Sequence, residues 1–220
     1  MSPLGELLEL LNRANGCSFS SLKAEYADWS RVVTNSPVLM ISEVAGEMVR
    51  SRLTGGPFAQ PSETLRKVWV RNPDCVRTEI VRDQGVVRVA VRNGCTWWRW
   101  DMAEGVSSGE AKSEMDLPRL LLLPAISPVR LLPKLRLLDV SVAGGHGRDT
   151  LLAHAELRCP VGAQRELSFE LEFDANYGTL LRHETLRRQQ RISMMEATYI
   201  EFNVDIPISK FEFRVPPGSA

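Results

Sequence analysis

The sequence lacks an excess of charge of either sign, because its 220 residues carry 27 Lys+Arg and 27 Asp+Glu. A chain without net charge has no long-range field that would attract nucleic acid or an anionic membrane. It also lacks an unbroken apolar run of the roughly 18 residues that a transmembrane helix needs. Its leucine-rich start is interrupted by Glu6, Glu9 and Arg13, unlike a secretory signal peptide. We therefore expect no nucleic-acid partner, no transmembrane segment and a cytoplasmic location, or an envelope location if a leader has been removed.

Motifs of catalysis and metal binding are missing as well. The sequence contains no GxSxG, no HExxH and no cluster of carboxylates, and its three histidines are His146, His154 and His183. A hydrolytic triad requires a histidine beside a nucleophile and a carboxylate. His154 and His183 both fall on predicted strands and could be neighbours, although ordinary strand histidines fit the pattern better. We expect no catalytic residue, no metal, no cofactor and therefore no enzyme.

Cysteine is scarce and unpaired in the sequence. The four cysteines are Cys17, Cys75, Cys95 and Cys159. None forms a CxxC pair, and no histidine lies at zinc-ligand spacing from one. In a reducing compartment they are expected to be free thiols, with a cross-strand Cys75–Cys95 disulfide as the alternative.

The first residues have the pattern of an amphipathic helix. Ser2 is a suitable N-cap, Pro3 fits the first helical position and Gly16 fits the end, which predicts a helix over about 3–15. One apolar stripe follows from the spacing of Leu4, Leu7, Leu8 and Leu11. A short helix with one such stripe is expected to lie on a sheet.

Most of the remaining chain has the pattern of short antiparallel strands. Turn signals such as Asn93-Gly94 separate the strands of a first meander from Leu65 to Met102. We expect a polar loop over Glu104 to Met115 and a second meander from Arg136 to Val204. In all, about ten strands are predicted.

Alternation within one strand predicts a sheet with one buried face and one wet face. The apolar set is Leu167, Phe169, Leu171 and Phe173, and the polar set is Ser168, Glu170, Glu172 and Asp174. A large, strongly twisted sheet of this kind tends to curl. The expected fold class is mainly β (α+β), an unclosed antiparallel half-barrel with helices in its concave face. One domain over 1–220 would include a loop at about 54–63 and a Leu/Pro-rich helical plug at about 116–135.

Several short motifs follow one another along the chain: Trp69-Val70-Arg71-Asn72-Pro73 with Val76-Arg77-Thr78-Glu79, Gly147-Arg148-Asp149, Phe173-Asp174 with Tyr177-Gly178, and Phe211-Glu212-Phe213-Arg214-Val215-Pro216-Pro217-Gly218. Taken in this order, they resemble the lipoprotein-carrier superfamily, meaning LolA-like and RseB-like proteins. The resemblance covers roughly residues 65–218 and implies an unclosed β-barrel with helices in its concave face. It also implies a role in carrying or sensing acyl chains or lipoproteins. A cytoplasmic member could not carry lipoproteins between envelope membranes.

An apolar ligand cavity is the candidate site. Its candidate lining residues are Trp69, Trp98, Trp100, Leu121, Leu122, Leu132, Phe169 and Leu171. Core packing explains the same aromatic residues, because cores and apolar pockets share residue types. The expected function is non-catalytic binding of a lipid or another hydrophobic small molecule. The alternative is a protein-interaction or regulatory module of the same fold, with a self-filled cavity and an unidentified protein partner.

Overall fold

The computed structural model describes residues 2–14, 19–30, 62–71, 74–83, 85–111, 134–160 and 166–216. Within these ranges the chain forms one α-helix, α1 (Pro3–Ala14), eleven strands and a 3-10 helix (Ile208–Phe211). The strands are β1 (Ser21–Ser30), β2 (Ser62–Arg71), β3 (Cys75–Arg82), β4 (Gly85–Asn93), β5 (Thr96–Asp101), β6 (Gly105–Glu110), β7 (Leu135–Gly145), β8 (Arg148–Leu157), β9 (Leu167–Asp174), β10 (Leu180–Arg187) and β11 (Gln190–Phe202).

All eleven strands belong to one open sheet. Their spatial order is β6-β5-β4-β3-β2-β1-β11-β10-β9-β8-β7, so β6 and β7 are the two edges and the sheet does not close into a barrel. The pairs whose register is described are antiparallel. The expected unclosed, mainly antiparallel fold is confirmed.

The chain divides into two compact units. One, called the helix unit, takes its described residues from 1–18, 28–63 and 123–197 and so contains α1 and β7 to β10. The other, called the tryptophan unit, takes them from 19–27, 64–122 and 198–220 and so contains β3 to β6. Strands β1, β2 and β11 contribute residues to both.

The expected polar loop after Met102 is wrong in its first half, because Gly105–Glu110 forms strand β6 beside β5. The sequence of β6 has little β propensity, so its pairing depends on the neighbouring strand. Trp97 lies against the backbone of Gly109, where a Cβ atom would be only 2.8 Å from the indole ring. A glycine at this position therefore lets the large Trp97 side chain cover an otherwise weak edge strand.

The expected wet face of β9 is only half wet. Ser168 and Glu170 are partly exposed, but Glu172 and Asp174 are buried. The Asp174 carboxylate accepts hydrogen bonds from the backbone N–H groups of residues 176 and 177, at 2.9 and 2.8 Å. These bonds offset the cost of burying a charge and fix the turn after β9.

Helix α1 packs against β7 through part of its apolar stripe. Leu7, Leu10 and Leu11 are buried, whereas Leu4 and Leu8 are 44% and 43% exposed. The Ser2 side chain accepts a hydrogen bond from the N–H of Gly5 at 3.3 Å and caps the helix as expected. The apolar stripe of α1 is therefore wider than its contact with β7, and the side chains of Leu4 and Leu8 remain partly exposed to solvent.

Candidate functional site

The three candidate tryptophans lie on one face of the tryptophan unit. Trp69 is opposite Arg77, Arg77 is opposite Val91, and Val91 is opposite Trp98, so these residues form one row across four strands. Trp100 is two residues further along β5 and points to the same face. This arrangement agrees with the period-2 expectation for β5.

Residues 204–216, called the C-terminal segment, cover this tryptophan face. Phe211 is completely buried in a cluster with Val89, Val91 and Trp100. Phe213 stacks on Trp98 with an interplanar angle of 12° and a centroid separation of 6.4 Å. The aromatic surface is thus packed by the chain's own side chains.

Polar contacts fix the C-terminal segment in place. The guanidinium of Arg77 donates to the carbonyl oxygens of Lys210 and Glu212, at 3.4 and 3.2 Å, and its Nε donates to Glu79 at 2.6 Å. The Lys210 ammonium lies 3.6 Å from the centroid of the Trp69 ring, a cation–π contact. Burial lowers the pKa of Lys210, and the Glu79 carboxylate opposes this shift. A ligand that reached these tryptophans would have to displace this segment.

Phe169 and Leu171 lie in the helix unit and are fully buried. Phe169 stacks on the buried His183, with ring centroids 6.0 Å apart. Burial lowers the pKa of His183 to about 4, although the Glu184 carboxylate opposes the shift. In the strand register, His154 lies opposite Glu170 and His183 lies opposite Leu171. Because Glu170 and Leu171 are consecutive in β9, the two histidines point to opposite faces of the sheet. The remaining candidates, Leu121, Leu122 and Leu132, lie outside the described residues.

A charge network built around two buried carboxylates lies on the sheet face opposite to Phe169 and Leu171. Arg182 is within 3.2 Å of Glu172 and 3.1 Å of Glu184, and Arg191 is 2.7 Å from Glu184. Glu172 lies directly over Gly145, where any Cβ atom would collide with its carboxylate. These groups pair with one another, and the described parts of the chain contain no group of His, Cys, Asp and Glu able to hold a metal ion.

Among the described residues, an open cleft lies between α1 and β7, which we call the α1–β7 cleft. It has a volume of about 440 Å³. Its described lining residues are Leu4, Leu8, Leu135, Arg136, Leu137 and Arg158. Four leucines form most of the wall, and Arg158 supplies positive charge. An apolar cleft with a few polar groups is the usual form of a small-molecule site.

This cleft was not anticipated as a site from the sequence. The signal that could have indicated it is the width of the leucine stripe on α1: the stripe is wider than the surface that β7 covers, so Leu4 and Leu8 stay exposed. Cys75, Cys95 and Cys159 are free thiols, and Cys17 lies outside the described residues. No helix among the described residues has both the length and the apolar character to cross a bilayer.

Comparison with known proteins places the fold. No family model and no curated protein matches the chain. Among solved structures, MucB in complex with MucA(peri) is 13% identical with a TM-score of 0.54, and the match covers 96% of this chain and 59% of that one. MucB of the Pseudomonas aeruginosa MucA/MucB complex is 14% identical with a TM-score of 0.54, covering 96% and 67%. An uncharacterized conserved protein from Thermus thermophilus is 10% identical with a TM-score of 0.53, covering 98% and 96%.

The chain therefore has the RseB-like open-sheet fold of MucB, which confirms the expected resemblance at the level of the fold. It spans only 59% of the MucB chain in the complex with MucA(peri).

Proposed function

We propose that this protein is a non-catalytic binding protein that holds an apolar ligand such as an acyl chain. The observation that carries the proposal is the α1–β7 cleft, in which Leu4 and Leu8 of the helix and Leu135 and Leu137 of the strand face an open volume of about 440 Å³. Binding of hydrocarbon requires no catalytic group. The charged side chains of Glu172, Glu184, Arg182 and Arg191 form ion pairs with one another, which agrees with a binding role.

The driving force is removal of hydrocarbon from water. Each methylene group that enters the cleft contributes about 0.8 kcal/mol. A handful of buried methylenes and the covered parts of Leu4 and Leu8 would supply several kcal/mol before the entropy cost of association is subtracted.

Uptake of a fluorescent fatty acid tests this proposal. Leu8→Gln should weaken binding because it places an amide in the apolar wall, and it should leave folding unchanged because Leu8 is already half exposed. The matched control is Leu138→Gln, since Leu138 is 53% exposed on the same strand as Leu135 and is not among the described lining residues. Native mass spectrometry of the purified protein should show copurified lipid. Absence of lipid together with absence of uptake would refute ligand carriage.

A second candidate function is a protein-interaction module, favoured by the C-terminal segment that fills the tryptophan face. A self-filled aromatic surface leaves no room there for a small ligand. The MucB structures with MucA support this candidate, because they are complexes of a protein of the same fold with another protein.

The two candidates differ in the surface that a substitution should affect. An interaction module predicts saturable binding of a purified protein partner that Val215→Gln, at an exposed residue of the C-terminal segment, weakens and Leu8→Gln leaves unchanged. The apolar-ligand proposal predicts the reverse ranking for fatty-acid uptake.

A further inference from the structure

Two arginines accompany the leucines of the α1–β7 cleft, and they are held differently. The Nε of Arg158 donates to the carbonyl oxygen of Leu135 at 2.9 Å, which orients its side chain along the cleft wall. Arg136 pairs with Glu156 at 2.8 Å, with both side chains well exposed. Among the described residues, no carboxylate pairs with Arg158. The cleft therefore contains one guanidinium whose charge the described carboxylates do not neutralise.

The charge around the cleft favours a single negative group. Arg158 lines it, whereas Arg136 alternates with Leu135 and Leu137 along β7, so its side chain points to the other face and pairs with Glu156. The acidic residues of α1, Glu6 and Glu9, are not among the described lining residues. A guanidinium presents parallel N–H donors that match the two oxygens of a carboxylate, and its weak hydration lowers the cost of using it beside leucines.

We propose that the α1–β7 cleft selects a single-chain amphiphile with an anionic carboxylate head, whose hydrocarbon contacts the four leucines while Arg158 binds the carboxylate. This proposal rests on the proposed function and adds the chemical class of the ligand. The cleft volume of about 440 Å³ lies near the lower end of the roughly 300–1,000 Å³ typical of ligand sites, which favours one chain over two.

A pair of probes with the same chain separates the head group from the hydrocarbon. Dodecanoate and dodecan-1-ol are each titrated as competitors of a bound fluorescent fatty acid, using the full chain at neutral pH. Wild type should bind the acid about tenfold more tightly than the alcohol, as expected for a charge-assisted hydrogen bond. The preference should fall as salt is raised, because the cleft is open to solvent.

Substitution of each arginine tests which side chain binds the carboxylate head group. Arg158→Gln should reduce the acid-over-alcohol ratio to near one while the affinity for dodecan-1-ol stays within about twofold of wild type. Arg158→Lys should retain part of the ratio, since it keeps the charge and loses the planar fork. Arg136→Gln should have a smaller effect than Arg158→Gln. The control is Arg214→Gln, an exposed arginine of the tryptophan unit, which should leave the ratio unchanged.

The outcomes distinguish this inference from the proposed function. If neither probe binds wild type, the proposed function fails, and the inference fails with it. If both bind equally, or if Arg158→Gln and Arg158→Lys both keep the full preference, the head-group inference is overturned while binding of apolar ligands stands. Dodecyl phosphate provides a further arm, because tighter binding of the phosphate than of dodecanoate would overturn the choice of carboxylate.

Discussion

Acidification should destabilise the protein through His183, whose imidazole is buried against Phe169. Burial lowers its pKa from 6.5 to about 4 in the folded chain, and the neighbouring Glu184 carboxylate offsets only part of that shift. Because the unfolded chain binds this proton more readily, the neutral histidine contributes stability above pH 6.5. That contribution is lost as the pH falls from 6.5 towards 4.

The magnitude follows from the size of the shift. Each pKa unit corresponds to 1.36 kcal/mol, so the free energy of unfolding should fall by about 2 kcal/mol between pH 7 and pH 5 and by about 3 kcal/mol by pH 4. The assay is urea unfolding followed by far-ultraviolet circular dichroism, at several pH values, for wild type and His183→Leu. The variant should lack this part of the pH dependence, whatever its stability at pH 7.

The Glu166 carboxylate titrates at lower pH and does not imitate this effect. Hydrogen bonds from the guanidinium groups of Arg188 and Arg187 lower the pKa of Glu166, so its contribution is lost only below the ordinary range of a glutamate. The difference between wild type and His183→Leu should therefore develop mainly above pH 4. Equal loss of stability in the two proteins between pH 7 and pH 5 would refute the assignment of this loss to His183.

Three further substitutions test the packing described above. Gly145→Ala should reduce the free energy of unfolding by about 1–3 kcal/mol in the urea titration, because the new methyl group collides with the buried, ion-paired carboxylate of Glu172. The control is Gly144→Ala, which places its methyl group in open space and should stay within about 0.5 kcal/mol of wild type. Phe211→Ala should lower the free energy of unfolding by about 3–5 kcal/mol and shift the tryptophan emission to the red, because the tryptophan face is uncovered. The control is Ile208→Ala, at an exposed neighbour, which should have neither effect. Unchanged emission in Phe211→Ala would contradict the covering role of the C-terminal segment. Glu184→Ala should cost about 1–3 kcal/mol, because it removes the buried carboxylate that Arg182 and the half-exposed Arg191 share, while Glu172 still pairs with Arg182. A loss in thermal denaturation no larger than that of an exposed ion pair would show that the network contributes little.

Local patterns predicted most of the strands and their turns. The Asn93-Gly94 signal marks a tight hairpin in which Gly94 has a φ of 64°, a conformation that glycine adopts without strain. Alternation placed Trp98 and Trp100 on one face of β5, and their partners in β4 agree. Both features depend on residues that are neighbours in sequence, which is why sequence alone was sufficient.

Local patterns did not predict the edge strand β6. Its residues have weak β propensity, and its pairing depends on the indole of Trp97 lying over Gly109 across the hairpin. Nor could alternation indicate that Glu172 would be buried, because its burial requires Gly145 on another strand and a guanidinium on a third.

Some features of the candidate site could also be predicted from the sequence, whereas others required the tertiary structure. The aromatic and leucine-rich composition of an apolar binding surface was determined by the sequence, as was the amphipathic helix α1. Only the tertiary structure decided that the C-terminal segment covers the tryptophans and that Leu4 and Leu8 stay open beside β7. The physical reason is that hydrophobic burial has no direction: a sequence specifies which side chains avoid water, while the packing of segments distant in sequence decides which of them are left uncovered.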